Sequence, residues 1–309
     1  MKKRVWRLAL LLTLGLLVVS GGLAYRTFYL TLPLGQGPAG PKVSGEAFGQ
    51  PWTGRKVLLL GVGDSITAGF GVPESHSILG RLTRNPDDEF AEMQGICLSR
   101  VLPDLTVRNI AVSGSTSLDH VRTIANELEV QPPDVLGLVI LTSGGNDLIH
   151  DYGRSPPREG AMYGASLQQA RPWIENYRQR LDAILDLIES RFPGGCHIFL
   201  ADIYDPTDGV GDAPSARLPD WPDGLAIHQA YNEIIHAVAA QRTAVHLVPL
   251  HAAFLGHGVH CGQPWRKNYR SEDPTYWYGA NLEDPSIRGY DAARRVFLCE
   301  IVKLAGQLK

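Results

Sequence analysis

Three short stretches of the chain carry side chains suited to acyl transfer. Gly63-Asp64-Ser65-Ile66-Thr67-Ala68-Gly69 sets a hydroxyl among small residues, Asn109-Ile110-Ala111-Val112-Ser113-Gly114 ends on a glycine, and Ser143-Gly144-Gly145-Asn146-Asp147 offers a carboxamide. A serine at a strand-to-helix turn presents its hydroxyl at a sheet edge, where N–H groups of the helix start face a developing oxyanion. Ser65 is the candidate nucleophile. Glycine lets a backbone N–H approach a ligand closely, so Gly114 can supply a second donor, and the Asn146 amide a third. Each residue alone also has a plainer reading: Ser65 as a helix cap, Gly114 as a turn glycine, Gly144-Gly145-Asn146 as a turn. Asp64 reads as orienting its loop, because neighbours on a turn rarely aim at one proton.

These segments need a scaffold that brings them together, and the apolar pattern supplies one. Val57–Gly61, Val107–Val112, Val135–Leu141, His197–Ala201 and Val245–Pro249 read as strands. VLGLVIL at 135–141 is nearly continuous in apolar residues, as in a strand buried on both faces. Glu89–Leu102, Leu118–Leu128, Leu167–Arg191, a segment around Ile227–Val238, and about Asp291–Leu304 read as helices. Alternation with long crossovers predicts an α/β fold, a doubly wound sheet of about five parallel strands flanked by helices. In such sheets reacting groups gather at the carboxyl ends of the strands, and all three segments fall there.

In this order and at these strand ends, the three segments resemble the GDSL or SGNH hydrolases, over roughly Val57 to Lys303. The resemblance implies that family's three-layer, flavodoxin-like α/β/α fold. It also implies an oxyanion hole of Ser65 N–H, Gly114 N–H and Asn146, and ester hydrolysis with no metal or organic cofactor. The family's last block usually reads D-x-x-H-P, followed by G-Y and a closing helix. Here the block is Asn281-Leu-Glu-Asp284-Pro285, with Gly289 and Tyr290 after it. Asn281 stands at the acid and Asp284 at the histidine, and an ordinary aspartate, with a pKa of about 3.9, is a weak base for a serine.

Three explanations stand side by side. A histidine from the segment after the fifth strand, first His257, then His260 or His251, could serve as the base with Asp284 orienting it. Asp284 itself could be the base, its pKa raised by burial among Tyr276, Trp277, Tyr278 and Tyr290 and opposed by Arg288. Alternatively the site no longer turns over and the fold binds an envelope glycan.

The 309 residues are 44% hydrophobic and 20% charged with a formal net charge of −3, a balance that excludes a basic nucleic-acid surface. Basic residues precede the uncharged run Leu8–Tyr25, so residues 1–34 read as a membrane anchor or export signal. The domain is then expected on the extracytoplasmic side, or secreted if the leader is cleaved. Residues 35–54, rich in Gly and Pro, read as a linker or stalk, and residues 55–309 as one hydrolase-like domain. Cys97, Cys196, Cys261 and Cys299 lack metal-ligand spacing; one or two disulfides are compatible with export, with Cys196 and Cys299 read as buried small hydrophobes. The acidic Asp202–Asp212 loop reads as a solvated loop beside the site. The aromatic cluster Trp265, Tyr269, Tyr276, Trp277 and Tyr278 reads as packing or a sugar-stacking wall. The expected substrate is an acyl ester on an envelope glycan or a small lipid, with hydrolysis by water or acyl transfer to a sugar hydroxyl.

Overall fold

The computed structural model describes residues 2–308. Five strands, β1 (Lys56–Val62), β2 (Leu105–Asn109), β3 (Val135–Leu141), β4 (Cys196–Ala201) and β5 (Val245–Val248), form one sheet in the order β2-β1-β3-β4-β5. Every pairing is parallel. Successive strand side chains point to opposite faces, and here both faces are covered. Val57 and Leu59 belong to one apolar core, Leu58 and Leu60 to the other. That double burial explains why β1 and β3 read as unbroken apolar runs.

The first described helix is α1 (Lys2–Tyr25), followed by α2 (Ser65–Ala68), α3 (Ile78–Thr83), α4 (Ser117–Glu127), α5 (Gly145–Ile149), α6 (Leu167–Ser190), α7 (Gly224–Gln241), α8 (Leu250–Phe254) and α9 (Ile287–Val302). Ile124 of α4, Leu181 of α6 and Ile235 of α7 pack on one face of the sheet, while Leu82 of α3, Phe254 of α8 and Phe297 of α9 pack on the other. Strand order reverses direction at β1 and β3, so the crevice at their carboxyl ends is the switch point where α/β folds place ligands. The three-layer α/β/α architecture expected from the sequence is therefore present.

Three expectations about the elements are corrected. Residues 89–102 form two short 3-10 turns, Ala91–Met93 and Leu98–Arg100, instead of a helix. The Glu89 carboxylate is drawn into the interior, where it accepts from Arg294 Nη2 at 3.0 Å and from Phe90 N at 3.0 Å, and Gly95 turns the chain at φ +78°. Residues 35–54 are no free stalk. Ala39 N donates to Asp291 Oδ2 at 3.2 Å, Arg288 holds the carbonyls of Gly37 and Pro38, and Phe48 and Trp52 are buried in the core. Gly40, at φ +86°, lies so close to α9 that a Cβ would stand 2.7 Å from Ala292 Cα. The four cysteines are free thiols; Cys196 and Cys299, expected to be buried, are half-buried, whereas Cys97 and Cys261 are buried, and desolvation pushes Cys196 and Cys261 up to about 12.

Candidate active site

Ser65 opens α2 immediately after β1, and the loop is held by Asp64. The Asp64 carboxylate caps the helix by accepting from Ile66 N at 3.1 Å, and accepts from Thr142 Oγ1 at 2.7 Å across the switch point. Asp64 thus orients the turn, in keeping with its expected role. Burial pushes its pKa up to about 6, with the two hydrogen bonds opposing and the charges of Asp284 and Asp147 adding to the rise. Gly63 sits at φ +129° where a Cβ would meet Thr142 O at 2.1 Å, so only glycine lets the β1 and β3 loops approach this closely.

The second and third segments are clamped to one another. Asn146 Nδ2 donates to Ser115 O at 2.9 Å, one residue past Gly114. A carboxamide has two N–H donors, so one can hold this loop while the other remains for a ligand. Beneath them lies His120, fully buried, its Nε2 2.9 Å from Ser115 Oγ and its Nδ1 3.0 Å from Ser143 Oγ. Burial lowers the His120 pKa to about 4, so the ring is neutral at pH 7 and pairs with one hydroxyl as donor and the other as acceptor. The Asp147 carboxylate accepts from Ser117 N at 2.8 Å and from the Ser117 hydroxyl, which fixes the start of α4. Gly114 itself is exposed, with φ +80°, and does not line the crevice described below.

The last block forms a tight loop, with Tyr278 and Pro285 bridged and Gly279 joined to Asp284. Asn281 Nδ2 donates to Asp284 Oδ2 at 2.6 Å, and Gly279 N donates to Asp284 O at 2.7 Å. Asp284 is buried, and its Oδ1 has no hydrogen-bond partner. Leu282 takes a left-handed backbone at φ +66°, and Tyr204 Oη donates to the Glu283 carbonyl. Tyr290 Oη donates to Phe70 O at 3.1 Å, tying α9 to the segment that follows the nucleophile.

These elements enclose a crevice of about 140 Å³. Ser65, Asp64, Asn146 and Glu283 line it, together with the apolar side chains of Leu148, Tyr163, Leu218, Trp221 and Leu225. Among the described residues no lysine or arginine lines it. Glu283, which sequence reasoning passed over, is pushed up to about 7 by burial and by the charges of Asp284 and Asp64. A second carboxylate beside the aberrant Asp284 was the available signal. His120 had only the Ser115-x4-His120 spacing to announce it.

The structure does not bring His257 to this crevice. Its ring stacks on Trp277 with centroids 3.4 Å apart, its Nδ1 bonds Thr275 O at 3.0 Å, and it lines a separate cleft with Pro41, Arg270 and Asp273. Burial lowers its pKa to about 4. The physical reason lies in the acidic loop: buried Asp208 accepts from the backbone N–H groups of Gly256, Gly258 and His260 at 2.7–2.9 Å, which fixes the direction of this segment. That clasp holds both glycines, and the chain between them, in place. His260 is likewise committed, with Nε2 2.7 Å from Asp212 Oδ1, and the His251 backbone N–H donates to Asp202 Oδ1 at 2.7 Å. Arg288 turns away from Asp284 to pair with Asp273 at 2.8 Å. Tyr276, Trp277 and Tyr278 are core residues, whereas Trp265 is exposed and packs edge-on against Phe28.

The model of the GDSL-like lipase/acylhydrolase family matches residues 62–271. Among solved structures, an acetyl-xylooligosaccharide esterase from Geobacillus shares 19% identity at a TM-score of 0.48, over 81% of this chain and 94% of that one. A psychrotrophic esterase from Pseudoalteromonas shares 16% at 0.45 over 80% and 97%, and a lipolytic G-D-S-L family member from Veillonella parvula 13% at 0.47 over 82% and 100%. No curated protein sequence matches the chain.

Proposed function

This chain belongs to the GDSL-like lipase/acylhydrolase family, whose members hydrolyse ester bonds, and on that premise we propose that it cleaves an ester with an apolar acyl group through a Ser65 acyl-enzyme. The observation that carries this reading is the crevice itself, which Ser65 and Asn146 line together with apolar side chains such as Leu148, Leu218 and Trp221. Ser65 Oγ attacks the acyl carbonyl, and the oxyanion is stabilised by the N–H groups of Ser65 and Gly114 and by the free N–H of Asn146. Water then releases the acid.

The apolar lining supports a lipid-like acyl group over an acetylated glycan, because sugars bring hydroxyls that such walls leave unpaired. The helix α1 continues in a helical turn to Leu30, and the span Arg4–Leu30 has a mean hydropathy of 2.1 with no part buried in the domain, long and apolar enough to cross a membrane. We read it as an anchor with the domain outside. Hydrolysis of p-nitrophenyl esters from acetate to decanoate tests the reading: rates should rise with chain length until the cavity is filled, and Ser65→Ala should abolish them. Flat, Ser65-independent rates would refute it.

A further inference from the structure

We propose that Glu283 is the proton acceptor that activates Ser65, with Asp284 acting on it as a like-charged neighbour. The inference rests on the Ser65 reading above and deepens it. Glu283 and Ser65 line one crevice, whereas Asp284 does not line it and has Oδ2 held by Asn281. The loop is built to present Glu283. Leu282 adopts φ +66°, an uncommon conformation for a residue with a branched side chain, and the turn is fastened on both sides by Gly279 N to Asp284 O and by Tyr204 Oη to Glu283 O.

The other ionisable groups around the crevice leave this role free. Asp64 is occupied by Thr142 and Ile66, Asp202 by His236 and the His251 backbone, and Asp205 by Thr207 and Gly209. His228 spends its Nε2 on Ile203 O. With no lysine or arginine in the lining among the described residues, nothing there opposes the effect of burial and of the Asp284 and Asp64 charges on Glu283. A carboxylate that binds its proton near pH 7 meets the requirement an imidazole usually fills.

In acylation, Glu283 takes the Ser65 hydroxyl proton as the Oγ–C bond forms and the carbonyl electron pair moves onto oxygen. Collapse breaks the bond to the alcohol, which leaves with the proton from Glu283. Water then gives a proton to Glu283 and attacks the acyl carbon, and Ser65 departs with that proton. One ester and one water become one acid and one alcohol.

The test is the rate of fluorophosphonate adduct formation, followed by intact mass from pH 5 to 9, on the full-length chain in detergent and on its Glu283→Gln, Glu283→Asp and Asp284→Asn variants. Circular dichroism checks that each is folded. Wild type should label with a rate that rises through about pH 7. Glu283→Gln should slow labelling by about 10²–10⁴-fold and Glu283→Asp by less, the range for loss of a general base. Asp284→Asn should keep labelling with its midpoint moved to lower pH. Labelling of Glu283→Gln at the wild-type rate, or its loss only in Asp284→Asn, overturns the assignment to Glu283 while leaving Ser65 as nucleophile. Failure of wild type to label at any pH overturns the Ser65 reading and the role of Glu283 with it.

Discussion

Asn281 donates its side-chain N–H to Asp284 Oδ2 at 2.6 Å, across the three-residue step that separates acid from histidine in the D-x-x-H pattern. An amide donates here but takes up no proton, so this pair holds a carboxylate in place. Asp284 does not line the crevice, and the neighbouring Glu283, which does, is the proton acceptor we propose.

Ester turnover should depend on pH with one sign. A base works deprotonated, so kcat/KM should be small well below pH 7 and rise as Glu283, held near 7 by burial and its acidic neighbours, loses its proton. Asp64, pushed up to about 6, ionises earlier and adds to the repulsion that keeps Glu283 protonated. A pH–rate profile with its midpoint near an ordinary carboxylate value, about 4, would contradict this.

Asn146→Ala should lower kcat by about 10²–10³ with a much smaller change in KM, the usual cost of one oxyanion donor. Steady-state kinetics on a soluble ester measures both. Because the same amide holds Ser115 O at 2.9 Å, Asn146→Asp should be as damaging, turning a donor toward that carbonyl into an acceptor.

His120→Ala strands the buried hydroxyl of Ser143 and takes one of two partners from Ser115, whose hydroxyl still donates to Gly63 O at 3.1 Å. A stranded group costs about 1–3 kcal/mol, so the denaturation midpoint should fall. The loop bearing Gly114 loosens with it, so kcat should fall more than KM changes. His120→Gln, able to donate and accept, should recover part of both losses, which a role in packing alone would not produce.

Asp291→Ala should be the most destabilising of these changes, by about 3–5 kcal/mol in chemical denaturation, because it removes the buried carboxylate that Arg294 and Arg295 share and leaves them only Glu89 and Glu92. Asp291 accepts from Arg294 at 2.6 Å and Arg295 at 3.0 Å, and the residue is fully buried. Burial alone would raise its pKa, but the two arginines outweigh that and hold it below the ordinary 3.8. A depressed carboxylate stabilises the fold above its unfolded pKa and ceases to do so as pH falls through the folded value. Acid unfolding should therefore begin below about pH 4 and be blunted in the variant.

The sheet could be read from the sequence because its signal is local: strands covered on both faces must be apolar throughout, and Val135–Leu141 is. Ser65 and Asn146, each in its own short motif at a strand end, could be brought to one crevice from the sequence, whereas Gly114 does not line it. What was not legible depends on partners far along the chain. The helix expected at 89–102 gave way because Glu89 meets Arg294, 205 residues later. The loop bearing His257 is turned by Asp208, whose carboxylate accepts from Gly258 N at 2.7 Å. The linker's glycines looked slack until Gly40 was seen against Ala292. Glu283 escaped notice because alignment to the D-x-x-H pattern drew attention to the residue beside it.

A crevice lined by Asp64 and Glu283, with no cation among its described lining residues, is a poor resting place for the acid that ester cleavage leaves behind. Once the product ionises it faces charges of its own sign at a few ångströms in a medium less polar than water, where such repulsion amounts to about 4 kcal/mol per pair at 4 Å. The departing acid is pushed out by the groups that helped make it, so accumulated product should inhibit weakly and esters already bearing a negative charge should be refused at the entrance.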